Sequence, residues 1–208
     1  MSTWSYEKVY ELLATQDDTE TLRPVVERIN ICDFLIRAIG IQMASVPLEV
    51  FQSNINYYIH NNPDVFIPGI KKVKTEIIDI RDINIVGYPR SAVALADAIR
   101  DIYHDKGYNE RKQSVNAAYY KELNLIMMPT DGNHHGMAAN VFNYGTMKVD
   151  VFELSPYFDT VKAMGDFEWE YLENGKRQRK PIFDMRLAAM YELAEIKYEL
   201  QKSLNSNI

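Results

Sequence analysis

Residues 125–154 read LIMMPTDGNHHGMAANVFNYGTMKVDVFEL. LNLIMMP, which leads into it, is a short, wholly apolar strand of the kind that lies buried in a sheet. A Gly-Asn turn follows, then adjacent His134 and His135, then a helix of small residues around Ala138 and Ala139. TMKVDVFEL is another strand. Strand, turn, helix and strand within thirty residues predict a mixed α+β domain.

A buried strand that ends in a glycine turn and enters a helix leaves unpaired amides at the helix N-terminus. With the positive end of the helix dipole they make a ready anion site. Gly132 lets the backbone bend and approach a ligand. Asn133 tolerates unusual backbone angles or donates through its amide. His134 and His135 hydrogen-bond a phosphate or, once protonated, neutralise one. The plainer reading is a polar turn capped by Asp131 with one histidine in the core. A metal site is disfavoured, because neither an HxxxH pattern nor a Cys partner accompanies the histidines.

Upstream, TEIIDIRDINIVGYP carries Ile77, Ile78, Ile80, Ile83, Ile85 and Val86 and predicts a strand followed by an extended loop. Ser91 suits the N-cap of the helix AVALADAIRDIYHDKG, which ends at Gly107. A further helix is expected over residues 110–122. Residues 64–69 read as a loop and domain boundary. Before it lie three helical stretches: Trp4, Val9, Leu12 and Leu13 mark the first, and Val25, Ile29, Phe34, Ile36 and Ile39 the second. The third begins at Pro47 and carries Val50, Phe51, Ile55 and Tyr58. Downstream, Asn174-Gly175 is the strongest hairpin signal in the chain. An amphipathic helix from about Asp184, bearing Leu187, Met190, Leu193, Ile196 and Leu200, closes it. The expected organisation is a helical region over 1–70, a core over 71–160, and a hairpin with a C-terminal helix over 161–208.

The 208 residues are 47% hydrophobic and 25% charged, enough for a sizeable core. A formal charge of −6 argues against broad nucleic-acid binding, which draws its energy from Lys and Arg on phosphates. Lys71, Lys72 and Lys74 form a local basic run, read as a solvated loop. Cys32 is alone, so it founds neither a disulfide framework nor a CxxC knuckle, and its apolar neighbours predict a buried thiol. MSTWSYEKVYELL lacks the features of a signal peptide, and Asp33 and Arg37 interrupt the most apolar stretch. A cytoplasmic location without membrane contact is expected.

Residues 78–107 followed by residues 125–154 resemble the two signature boxes of the ParB/sulfiredoxin-like superfamily. The first box has a strand, a Pro-Arg loop and a Leu-Ala-x-x-Ile helix closed by Gly. These features fall on residues 78–80, Pro89-Arg90, Leu95-Ala96, Ile99 and Gly107. The second box has an apolar strand, a glycine turn with His and Arg, and a helix with paired alanines. Gly132, His134, His135, Ala138 and Ala139 take those places. The strand over residues 148–153 resembles the one that closes the family's small sheet. The resemblance covers about residues 75–154. It implies a small mixed sheet, flanked here by helical extensions at both ends, and a nucleotide, ATP or CTP with Mg²⁺, held at the turn and by the Pro-Arg loop.

Three departures accompany the match. The catalytic cysteine of sulfiredoxin falls at Asn133, which excludes that redox activity. His135 replaces the second-box Arg, and the helix expected over 110–122 stands where the family has a strand. No helix-turn-helix reader is evident after Leu154. The leading expectation is therefore binding of a nucleotide or related phosphorylated ligand by Arg90, Gly132, Asn133, His134 and His135. Nucleotide hydrolysis or phosphoryl transfer is the natural reaction class, with Asp79, Asp82 or Asp131 holding Mg²⁺ or acting as base. Two alternatives stand beside it. One is a non-enzymatic interaction module with a degenerate site and a protein partner or homodimer. The other is a ParB-like nuclease or partition factor, although strong duplex DNA binding is not expected.

Overall fold

The computed structural model describes residues 22–44, 67–87, 92–112, 116–128, 133–165, 168–182 and 184–206. The expected helices around Trp4 and after Pro47 lie outside these residues. The first described helix, α1 (Leu22–Ala44), buries Val25, Cys32, Ile36 and Met43, a stripe at helical spacing. Phe34 was expected in that stripe and is instead 69% exposed. It lies two residues from both Cys32 and Ile36, which is more than half a turn away from the buried face. Burial pushes the Cys32 thiol above its ordinary range.

The central sheet contains β1 (Lys72–Asp79), β2 (Asn84–Val86), β3 (Tyr108–Asn109), β4 (Ala117–Tyr120), β5 (Leu125–Met127) and β6 (Gly145–Phe152). Its order is β1-β6-β4-β5-β2, with β3 also beside β6. Pairing is mixed: β1 with β6 and β4 with β5 are antiparallel, whereas β2 with β5 and β4 with β6 are parallel. The fold is α+β. Lys72 and Lys74 are on β1, so the basic run is part of an edge strand rather than a loop.

No long helix spans residues 110–122. Glu110–Lys112 and Lys121–Leu123 are single 3₁₀ turns, and AAYY between them is β4. The local sequence favours a helix, but the slot between β5 and β6 demands a strand, and tertiary pairing overrides a weak propensity. β3 and β4 run parallel along the same side of β6, at Gly145–Thr146 and Val149–Phe152 respectively. Where β3 meets β6, Gly145 has φ +124°, and a Cβ there would lie 2.3 Å from the Tyr108 carbonyl oxygen. A side chain does not fit this approach.

Alternation along the strands supplies two cores. Ile85, Ile126, Met147, Val149 and Val151 face the helices α2 (Ala92–Asp105) and α3 (Asn133–Phe142). Val86, Leu125, Met127, Tyr120 and Phe152 face the other way, toward α1 and the C-terminal helix α4 (Met185–Ser206). The result is helices on both faces of one sheet. Glu122 fixes the turn after β6 by accepting hydrogen bonds from the Leu154 amide at 2.8 Å and the Ser155 amide at 3.1 Å.

The chain then forms a second, three-stranded antiparallel sheet from β7 (Val161–Met164), β8 (Glu168–Glu173) and β9 (Lys176–Pro181). The β8–β9 hairpin turns at Asn174-Gly175, with φ of 52° and 72°, the left-handed pair a tight hairpin requires. β7 is an additional strand whose four residues give little sequence signal. Trp169 on β8 is fully buried and meets Tyr191 of α4 at 5.2 Å and nearly edge-on. Among the described residues no helix is long and apolar enough to cross a membrane.

Candidate functional site at the ends of β2 and β5

Two strand-to-helix connections leave the sheet side by side. β2 and β5 pair in parallel with Val86 opposite Met127, and the Met128 amide donates to the Val86 carbonyl at 2.8 Å. β2 leads to α2 and β5 leads to α3, each through a segment outside the described residues, 88–91 and 129–132. Pro89 and Arg90 are on the first segment, Asp131 and Gly132 on the second. Both segments therefore start from adjoining strand ends and finish at a helix N-terminus. This geometry follows from the short apolar strands INIV and LIM, which bury on both faces and pair without a bulge.

One face of α3 reads the otherwise open edge of β2. Asn133, Met137 and Asn140 share this face at helical spacing, and Asn143 follows just beyond its end. The Gly87 amide donates to Met137 Sδ at 3.1 Å. Asn140 grips Ile85 twice: Oδ1 accepts from its amide at 3.0 Å, and Nδ2 donates to its carbonyl at 2.5 Å. The Asp82 amide donates to Asn143 Oδ1 at 3.1 Å. Asn133 is 7% exposed, and a Cβ on Gly87 would come within 2.9 Å of its Oδ1. Gly136 lies against Met128, where a Cβ would be 2.5 Å from the sulfur. The small residues of this helix thus let α3 lie directly on β5 and against the edge of β2.

The two histidines diverge from one another in exposure. His134 is half-buried, while His135 is exposed and points across to α2, with Nε2 3.8 Å from Asp101 Oδ2. A shallow depression of about 60 Å³ lies beside it, lined by Asp101, Ile102, Asp105, Gly107, Tyr108, Asn109 and His135. Burial pushes the Tyr108 phenol up to about 12, so it stays neutral there. With Asp101 and Asp105 on one wall, the depression itself is poorly suited to an anion.

Asp79 and Asp82 stand elsewhere. They flank the β1–β2 turn, and Asp82 meets Asn143 just beyond the far end of α3, ten residues and about 15 Å along the helix from Asn133. Asp79 accepts from the Arg81 amide at 3.0 Å and from Arg81 Nε at 2.8 Å, and this guanidinium holds its carboxyl below the usual range. Asp82 pairs with Arg37 of α1 at 3.2 Å. The structure thus brings Asn133, His134 and His135 together and keeps Asp79 and Asp82 away from them. Arg90, Asp131 and Gly132 lie outside the described residues. Among the described residues, no three His, Cys, Asp or Glu side chains converge as metal ligands do.

Sequence reasoning missed Asn140 and Asp101. Asn140 had a signal, a lone amide in the middle of the apolar run MAANVF, but its partner is a backbone and carries no sequence mark. Asp101 lies among the charges of α2 and is singled out only by the approach of His135.

The model of a family of unknown function, DUF6710, matches residues 4–204, and the chain belongs to that family. No curated protein and no solved structure matches it.

Proposed function

We propose that this DUF6710 member binds a phosphate-bearing ligand, a nucleotide in the first instance, outside the carboxyl ends of β2 and β5. The observation that supports this most is the in-register parallel pairing of the two strands, each leading within a few residues into a helix. Helix N-termini and the backbone turns before them attract anions, and the carboxyl ends of parallel strands are where open sheets hold ligands. In this reading Arg90 supplies the fixed charge, and Gly132, Asn133 and His134 line the phosphate cradle. His135, committed toward Asp101, contributes less than its place in the motif suggests. The resemblance of residues 78–107 and 125–154 to the ParB/sulfiredoxin-like boxes, and their ATP or CTP, points the same way.

The reading assigns binding rather than a reaction. Of the three carboxylates suited to Mg²⁺ or to a base, Asp82 is a helix length from Asn133, Asp79 is held by Arg81 beside the same β1–β2 turn, and Asp131 alone is close to Asn133 in sequence. A second reading, a non-enzymatic interaction module with a degenerate site, is favoured by the acidic pair Asp101 and Asp105 beside His135. Calorimetry with ATP, CTP and GTP, with and without Mg²⁺, separates the two. Binding that Arg90→Ala weakens at least tenfold supports the ligand reading. Absence of binding by all three nucleotides and by inorganic phosphate leaves the module.

A further inference from the structure

β1 is the outermost strand of the large sheet, and among the described residues it pairs with β6 alone. The Ile80 amide donates to the Gly145 carbonyl at 3.2 Å, and hydrogen bonding in an antiparallel ladder alternates residue by residue. Ile78, Glu76 and Lys74 therefore direct their peptide groups at β6. Thr75, Ile77 and Asp79 present theirs to the open side. An exposed strand of eight residues is a template for another strand. Two of its three apolar side chains are uncovered as well, Val73 being 56% and Ile77 57% exposed, while Ile78 packs on the core.

We propose that β1 pairs antiparallel with β1 of a second copy of this chain, about a two-fold axis at Thr75. Two constraints give the register. Outward-facing peptides must meet outward-facing peptides, which leaves only every second register open. Of these, the register centred on Thr75 sets Lys74 opposite Glu76 of the other copy, twice, and Val73 against Ile77, twice. Centring on Glu76 instead puts two carboxylates face to face. Centring on Ile77 pairs Glu76 with Ile78 and separates each charge from its complement. Lys74 and Glu76 already pair along the strand at 2.7 Å, so the dimer carries four alternating charges on one face.

Val73 is the bulged residue of the β1–β6 ladder, between Lys72 and Lys74, so the regular part of the new pairing is residues 74–76, with Val73 and Ile77 as its flanking apolar contact. So short a ribbon falls below the roughly 1,200 Å² of a stable specific interface. The association is therefore weak and concentration-dependent.

Cysteine cross-linking tests the register, because the native Cys32 is fully buried and silent. Thr75→Cys places two thiols across the axis with Cα atoms about 5.5 Å apart, within disulfide range. Mild copper-phenanthroline oxidation of the full chain should give a covalent dimer. Ile77→Cys sets its pair roughly 13 Å apart along the strand and should stay monomeric. Sedimentation velocity of the cysteine-unmodified chain should show self-association that rises with concentration. Lys74→Glu should weaken it at least fivefold, and Lys74→Glu with Glu76→Lys should restore it. A chain that stays monomeric at every concentration and yields no Thr75→Cys cross-link overturns the proposal. So does an Ile77→Cys cross-link as fast as that of Thr75→Cys, or a dimer indifferent to Lys74→Glu.

Discussion

Asn140 closes the edge of β2 by giving both halves of its side-chain amide to one residue, Ile85, as a neighbouring strand would. β2 is only three residues long and has β5 on its other side, so this amide completes the pairing of its central residue. A sheet edge covered in this way is protected from pairing with other chains.

Removing the clamp leaves a half-buried peptide group unpaired. Asn140→Ala should therefore cost about 1–3 kcal/mol, the usual penalty for stranding such a group. Asn140→Leu discriminates between pairing and packing: it preserves the volume and should lose as much. Urea denaturation of both variants measures this, and recovery of stability by Leu would assign Asn140 a packing role.

Tyr191 makes stability depend on high pH. Its ring contacts Trp169 and Phe158, each at 5.2 Å, and its hydroxyl donates to the Val161 carbonyl at 3.2 Å. Burial raises its phenol far above the ordinary value, and Glu195, Glu122 and Asp159 add to the effect. A raised folded value means that the contribution is complete below the unfolded value of about 10 and is lost as pH rises beyond it. Tyr191→Phe keeps the ring and removes the titration. Between about pH 8 and 11, its denaturation midpoint should fall less steeply than that of the wild type. Parallel declines would remove Tyr191 as a source of the alkaline sensitivity. Tyr108, pushed up to about 12, supplies a remaining slope in both proteins.

Under the proposed reading, Asp101 is the rival partner of the His135 imidazole. At a separation of 3.8 Å it competes with a phosphate for the imidazole, and its charge repels the ligand. Asp101→Asn should tighten nucleotide binding by a few-fold, more at low ionic strength than at high. His135→Arg should tighten it in the Asp101→Asn background more than in the wild type. Calorimetry of the four proteins gives this comparison, and equal affinities throughout would place the ligand away from His135.

What was legible in the sequence was local chemistry. Asn174-Gly175 names its own turn, and LIM followed by a glycine turn names a strand entering a helix, because the causes lie within a few residues. AAYY reads as part of a helix, since its strand character comes from β5 and β6 on either side, which no window along the chain contains. Hydrophobicity alone points Phe34 inward, although the spacing from Cys32 to Ile36 turns it outward. At the candidate site, the sequence places Asn133, His134 and His135 at the start of a helix, which is where α3 begins. The separation of Asp79 and Asp82 from them was not legible, since it depends on α3 running its full length along the edge of β2.

The hairpin cations bear on nucleic acid. Lys176, Arg177, Arg179 and Lys180 lie together on β9, and such a strand can enter a groove when its charges are available. The two arginines are paired across the hairpin: Arg177 meets Glu170 at 3.0 Å, and Arg179 reaches Glu168 at 3.4 Å and Glu170 at 3.6 Å. On β1, Lys72 meets Asp150 at 3.6 Å and Lys74 meets Glu76 at 2.7 Å. To reach a phosphate, Arg177, Arg179, Lys72 and Lys74 would each first leave a carboxylate behind, so the gain from their backbone contacts is largely offset. Fluorescence anisotropy with a labelled random duplex should detect no binding at about 150 mM salt. Glu168→Gln with Glu170→Gln frees the arginines and should expose weak binding that disappears as salt rises. Submicromolar binding by the wild type, abolished by Arg177→Ala and Arg179→Ala, would instead make the hairpin a DNA-contacting arm.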